Sequence, residues 1–206
     1  MARGRLITIE GLDGAGKTTQ AAWLAEALSD RGLAVRLLRE PGGVEVSERV
    51  RALVMDPALT VSPRAEALLY AAARAQLVEE LLEPLLADGT WVVLDRFVDS
   101  SLAYQGGGRG LGVDSVAAVN AFATGGLSPD RTVLLRVDVE TGRARQGARG
   151  SEPDRLEREG GEFFAAVARA YDEIAAADPE RVRVVEAGGA AEAVRAAVLD
   201  AVSDLV

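Results

Sequence analysis

Two hydrophobic periods alternate along this chain. Solid apolar runs bounded by turn residues predict short buried strands at Leu6–Glu10, Ala34–Leu38, Trp91–Asp95, Arg131–Val137 and Arg181–Glu186. Between them apolar residues return every three or four positions and predict helices. Lys17–Arg31 carries Trp23, Leu24, Ala27 and Leu28 on one face and stops at Gly32. Val44–Met55, Val113–Ala123, Phe163–Ala177 and a closing amphipathic Ala190–Leu205 follow. Pro63 opens a long helix reaching about Ala87, which Pro84 kinks or ends.

Two stretches have neither period. Asp99–Gly112 is polar and rich in glycine, and reads as a loop with one helical turn. Thr141–Gly161 is charged with almost no apolar residues, and reads as a mobile surface segment after a short helix. Elsewhere strand and helix alternate, which implies right-handed βαβ units. The expected architecture is a single α/β domain over 1–206, a parallel sheet covered by helices on both faces. Ligands of such folds bind beyond the carboxyl ends of the strands.

Composition narrows the chemistry. There is no cysteine and no histidine, so thiolate nucleophiles, disulfides, imidazole bases and most zinc sites are excluded. A net charge of −9 disfavours general nucleic-acid binding, because a phosphate backbone needs clustered cations. Any anionic substrate must sit in a local basic pocket. The start Met1–Leu6 lacks the apolar run of a signal peptide, and no stretch of about 20 apolar residues occurs, so no membrane partner and a cytoplasmic location are expected. Of the 23 basic residues only Lys17 is lysine. Its site needs a compact ammonium rather than a planar fork.

That lysine stands in a motif. Gly11, Leu12, Asp13, Gly14, Ala15, Gly16, Lys17 and Thr18 match G-x-x-x-x-G-K-[ST], between a predicted strand and a predicted helix. Glycines let backbone N–H groups turn toward phosphate oxygens, and the helix start adds a positive end. Lys17 is expected at the β- and γ-phosphates of ATP and the Thr18 hydroxyl on Mg²⁺. Asp13 orients either the metal or an acceptor. The Asn-Lys-x-Asp signature of guanine switches is absent, since Asn120 is the only asparagine.

A kinase needs a second anion site, and arginines at strand ends offer one. Asp95 and Arg96 end the third strand, the first placed for Mg²⁺ or its waters and the second for a phosphate. Arg39 ends the second strand. Tyr70 and Arg74 lie one turn apart on one helix face and offer a plate and a cation to a nucleobase. The alternatives are another nucleoside monophosphate kinase or a P-loop ATPase without an acceptor.

Glu10–Gln20, the turn Arg39-Glu40-Pro41-Gly42-Gly43, Tyr70–Arg74, Asp95-Arg96-Phe97 and Ser100–Gly106 together resemble the thymidylate kinase family over essentially the whole chain. The resemblance implies a three-layer P-loop NTPase fold with a five-stranded parallel core, a homodimer, ATP with Mg²⁺ as donor, and dTMP as acceptor. It implies that Tyr70 stacks on thymine with Arg74 near the base, and that Arg39 and Arg96 grip the dTMP phosphate. Tyr104 and Gln105 close around sugar and base, with Ser100 and Ser101 in the same substrate site. Asp13 and Asp95 organise metal and acceptor. Phe97 stands where the family often has Tyr or His. One branch of the family places an Arg inside the phosphate loop, and this chain has none there. The other branch supplies it from a lid, which residues 143–161 resemble. Arg149 is the expected catalytic arginine, with Arg145 and Arg155 as alternatives. The acceptor phosphate is already ionised and is itself the nucleophile, so a chain without histidine needs no strong general base.

Overall fold

All six residues of β1 (Leu6–Gly11) are buried, as a solid apolar run in the middle of a parallel sheet requires. The computed structural model describes residues 2–148, 150 and 152–206. β2 (Val35–Arg39), β3 (Trp91–Asp95), β4 (Arg131–Arg136) and β5 (Val182–Glu186) join β1 in one parallel sheet of order β2-β3-β1-β4-β5. The expected five-stranded parallel core is present. Its register puts Ile9, Asp95 and Arg39 in one row, so the carboxyl ends of β1, β3 and β2 finish level.

The helices are α1 (Lys17–Ser29), α2 (Glu45–Met55), α3 (Pro63–Leu77), α4 (Glu83–Ala87), α5 (Val98–Ser101), α6 (Val113–Thr124), α7 (Val139–Gly147), α8 (Gly161–Ala177) and α9 (Ala191–Asp200). Strand alternation divides the core. Ile7, Ile9 and Val93 share one cluster with Leu24 and Leu28 of α1 and with α8 and α9. Leu6, Val92 and Leu94 point the other way, onto Leu77, Leu82 and Leu86.

Three expectations need correction. The long helix from Pro63 neither ends nor simply kinks at Pro84: α3 passes through a π-helical turn, Val78–Leu82, into α4. Proline withholds one N–H, and the ladder widens in the turn before it rather than breaking. The closing helix stops at Asp200, and a 3₁₀ turn, Ser203–Leu205, finishes the chain.

The third correction concerns the glycine-rich stretch after Asp99. It is helical: α5 runs directly into a π-helical segment, Leu102–Gly108. Its glycines serve packing. A Cβ on Gly107 would lie 2.6 Å from the Ala170 Cβ, and one on Gly108 2.6 Å from the Phe163 ring. Bare backbone lets this segment lie against α8.

Candidate active site

The loop between β1 and α1 takes its shape from glycines in the left-handed region: Gly14 (φ 81°) and Gly16 (φ 94°), the residue before α1. Gly14 also lies close against α7, since a Cβ there would lie 2.0 Å from the carbonyl oxygen of Gly142. The Lys17 ammonium crosses the loop and donates to Leu12 O at 2.7 Å. Burial, reinforced by Arg96, lowers its pKa to about 8, against the pull of Asp13, Asp95 and Glu10. The Thr18 hydroxyl donates to Asp95 Oδ2 at 2.6 Å. A hydroxyl and a carboxylate side by side at a helix start form a hard-oxygen pair suited to Mg²⁺ that also takes phosphate oxygens and water. Among the described residues no group of three or more acidic side chains is arranged to hold a metal by itself.

Beside the loop lies a cavity of about 210 Å³. Its walls bring together Asp13, Lys17, Thr18, Arg39, Tyr70, Arg74, Asp95, Arg96, Ser100, Ser101, Tyr104 and Gln105. Those are the expected acceptor residues and the key loop residues, gathered from stretches far apart in sequence. The loop residues Leu12 and Ala15 are buried outside that wall.

Arg96 is the hinge of this arrangement. It is the non-glycine residue with positive φ (73°) among the described residues. Such a conformation is costly and persists only where surroundings enforce it. Its guanidinium pairs with Asp13, donates to Ser100 Oγ at 3.0 Å, and lies 5.0 Å from the centre of the Tyr104 ring. Tyr104 also donates to Asp13 Oδ2 at 2.9 Å. Burial by itself would raise the Asp13 carboxyl, but Arg96 and Lys17 outweigh it and bring the pKa down to about 2. Asp13 is therefore an anion that ties the loop to Arg96 and Tyr104 on the cavity wall.

Arg74 behaves differently from expectation. It lines the cavity, yet it is only 2% exposed and its N–H groups are taken by protein. Nε donates to Glu40 at 2.8 Å, Nη1 to Ser101 Oγ at 2.9 Å and to Asn120, and Nη2 to Phe97 O at 3.0 Å and to Glu40 at 2.7 Å. It shapes the wall. Arg39 is more open, held by Glu48 at 2.9 Å.

The segment read as a mobile surface lid is partly pinned. Arg155 pairs with fully buried Glu66 at 2.7 Å and donates to Val54 O at 2.9 Å, while Leu156 is buried. Glu66 also receives Gln105 Nε2 at 2.9 Å and Arg109 at 3.0 Å. Arg145 donates to Ala187 O at 2.9 Å, beyond β5. Arg149 lies outside the described residues.

Sequence reasoning missed Glu10, Glu40, Arg51, Asp154 and Glu157. The last four line the cavity. Glu40 and Arg51 are joined to it by the Pro41 turn, with Arg51 donating to Pro41 O at 3.0 Å. Glu10 lies beneath the site and is wholly buried. It directly precedes the loop motif, a position that by itself carries no chemical signal.

A family model described as thymidylate kinase matches residues 9–198. Curated relatives named thymidylate kinase include one from Alkalilimnicola ehrlichii, 46% identical over 100% of this chain and 95% of its own length. Another, from Bordetella petrii, is 48% identical over 95% of this chain and 93% of the relative, and one from Deinococcus radiodurans is 46% identical over 99% and 98%. A loop built for phosphate, an arginine-walled cavity at its flank and likeness along nearly the whole length agree, and the chain belongs to the thymidylate kinase family.

Proposed function

We propose that this chain transfers the γ-phosphoryl group of ATP to dTMP, giving dTDP and ADP. The observation that carries the reading is the Asp13–Arg96 ion pair, which makes the phosphate loop and the acceptor cavity share one wall. A donor in the loop and an anionic acceptor in the cavity would meet across that pair.

Phosphoryl transfer between two anions needs positioning and charge neutralisation more than proton chemistry. Lys17 faces the donor phosphates, and Arg96 and Arg39 face the acceptor phosphate. Asp13 holds Arg96 in place from the loop side. Tyr70 lines the cavity as a plate for the base, and burial with Glu66 nearby raises its phenol, which keeps it neutral. Ser100, Ser101, Tyr104 and Gln105 complete the acceptor wall. Mg²⁺ held by Thr18, Asp95 and phosphate oxygens would draw charge off the transferred group. Residues 143–161 act as a lid, and Arg149 in that segment is the proposed source of the remaining cation.

Among the described residues no helix is long and apolar enough to cross a membrane. A cytoplasmic homodimer is part of the same reading. The outward apolar residues Leu53, Leu68 and Phe122, exposed by 48%, 58% and 92%, lie on α2, α3 and α6, and α3 packs on both of the others. Light scattering on the purified protein tests that assembly. The function is tested by ADP formation with ATP alone and with ATP plus each nucleoside monophosphate. ADP release rising with dTMP above all others is expected. Equal turnover without any acceptor would sink the proposal.

A further inference from the structure

Arg96 needs a reason to hold a left-handed backbone, and the reason lies beneath the site. Glu10, at the carboxyl end of β1, is 0% exposed, and among the described residues it makes no ion pair, Arg96 and Lys17 acting on it only from a distance. Its carboxylate is answered by neutral donors instead. Oε1 accepts from Phe97 N at 2.7 Å and from Ser100 N at 3.3 Å. Oε2 accepts from Ser100 Oγ at 2.5 Å and from the Tyr171 hydroxyl at 2.9 Å. Three of these four donors belong to the turn that begins at Arg96, and Ser100 Oγ in turn accepts from Arg96 Nη1 at 3.0 Å.

We propose that Glu10 is a positioning residue for the acceptor arginine: its carboxylate clamps the 97–100 turn and, through the Ser100 hydroxyl, aims the Arg96 guanidinium. This rests on the reading of the cavity as the acceptor site. A buried carboxylate is costly unless hydrogen-bonded, so its place under this turn implies a geometric task. An apolar residue would fill the same space with no desolvation cost, but it would offer the two backbone N–H groups no acceptor. Nor would it fix the Ser100 hydroxyl in its donor role, which leaves the oxygen lone pairs to Arg96. Burial, with Asp99 nearby, raises the Glu10 pKa to about 7 against the opposing pull of Ser100 and Arg96. The clamp is held by hydrogen bonds more than by charge. The consequence falls mainly on one substrate. Lys17 bonds to Leu12 O rather than to the 97–100 turn, and Arg96 reaches the loop only at Asp13 and Gly11 O (3.3 Å), so a displaced turn should cost the acceptor side more than the donor side.

The test is steady-state kinetics of Glu10→Gln with each substrate varied in turn. Gln keeps the shape but places an amide N–H where two donors already converge. A displaced reacting group costs up to about 10²-fold in rate. We expect kcat/KM for dTMP to fall about 10- to 100-fold while KM for ATP moves by less than about 3-fold. Ser100→Ala keeps the Glu10 bonds to the turn's backbone and removes the relay hydroxyl, which also lines the cavity, so it should show a one-sided dTMP loss at least as large. Adding it to Glu10→Gln should cost little more, because both act through one chain. Tyr171→Phe removes one donor to the same carboxylate and a 3.0 Å contact to Ser100 Oγ but leaves the Ser100–Arg96 bond, so its one-sided dTMP loss should be clearly smaller than that of Ser100→Ala. If Glu10→Gln does not fold, the Ser100→Ala and Tyr171→Phe pair decides. Equal losses for ATP and dTMP, or a Tyr171→Phe loss matching that of Ser100→Ala, overturn the inference. A wild-type protein showing no dTMP-dependent ADP release overturns the functional reading instead.

Discussion

Of the four arginines that line the cavity, Arg74 and Arg96 are built in opposite ways. Arg74 sits mid-helix, 2% exposed, with its guanidinium enclosed by Glu40, Ser101, Asn120 and the Phe97 carbonyl. Arg96 sits on a left-handed turn and shares its guanidinium among Asp13, Ser100 and the face of Tyr104, each of which also faces the cavity. The first arginine is consumed by structure. The second is held at the border of two sites, with partners that a phosphate can displace or join. Proximity to a cavity therefore does not make a cation available. What matters is which groups hold its donors: Arg96 makes as many hydrogen bonds as Arg74, but mostly to groups that line the cavity, and its side chain is 18% exposed against 2%.

The sharpest way to break this comparison is to remove each charge and ask what fails. Arg74→Ala leaves Glu40 buried and unpaired, and Glu40 Oε1 already lacks a partner among the described residues. Losing one member of such a pair costs about 3–5 kcal/mol. Urea unfolding should register most of that. Replacing Glu40 and Arg74 together with Leu and Met should recover much of the stability. In the folded fraction of Arg74→Ala, KM for dTMP should rise more than KM for ATP, because the residue shapes the acceptor wall alone. A large ATP effect means the helix has been given to the wrong substrate.

Arg96→Ala should do the reverse. Its partner Asp13 keeps Lys17 at 3.7 Å and the Tyr104 hydroxyl, so no anion is stranded. The denaturant midpoint should move much less than for Arg74→Ala. Turnover should drop about 10²–10³-fold, the usual loss when one preorganised donor to developing charge is deleted. Turnover within a few-fold of wild type would return Arg96 to the same structural class as Arg74.

Arg155→Ala sharpens the contrast at a smaller scale. Glu66 is as buried as Glu40, but it has Arg109 as well as Arg155. One charge-assisted bond should be lost, about 1.5–3 kcal/mol, with no stranded carboxylate. If kcat also falls by orders of magnitude, Arg155 is the lid cation and Arg149 is not.

The sequence made part of this site legible. The five strands, the phosphate loop and most of the residues that line the cavity were readable because each has local chemistry: a glycine pattern, a lone lysine, arginines at strand ends. What stayed hidden depends on distance. The partners of Glu10 lie 87 to 161 positions away, so nothing near it in sequence announces a clamp. The state of Arg74 was hidden for the same reason, since Glu40 and Asn120 are 34 and 46 positions from it. Gly107 and Gly108 misled outright. Glycine signals freedom when read locally, and here it permits close contact with α8, a use that only the third dimension reveals.

The finest test concerns what Arg96 does to its neighbour. Lys17 is buried, and burial together with the Arg96 charge lowers its pKa to about 8. On the proposed reading the nucleotide binds the protonated ammonium, and phosphate beside it raises that pKa. Below pH 8 the free enzyme already carries the proton, so this group leaves ATP affinity flat. Above pH 8 binding must take up a proton, and affinity should fall by about tenfold per pH unit, or 1.4 kcal/mol, until the bound-state pKa is reached. Phosphates of ATP are fully ionised in that range and add no slope of their own. Titration calorimetry from pH 7 to about pH 10 reads the break directly. In Arg96→Ala one of the two influences lowering the Lys17 pKa is gone, so the break should move to higher pH. Arg74 bonds to Glu40, Ser101, Asn120 and Phe97 O rather than to the loop, and a folded Arg74 variant such as the Leu–Met double should keep the wild-type break. A break that shifts equally in both variants would show that the two arginines act on the loop alike, and the distinction drawn between them would fail.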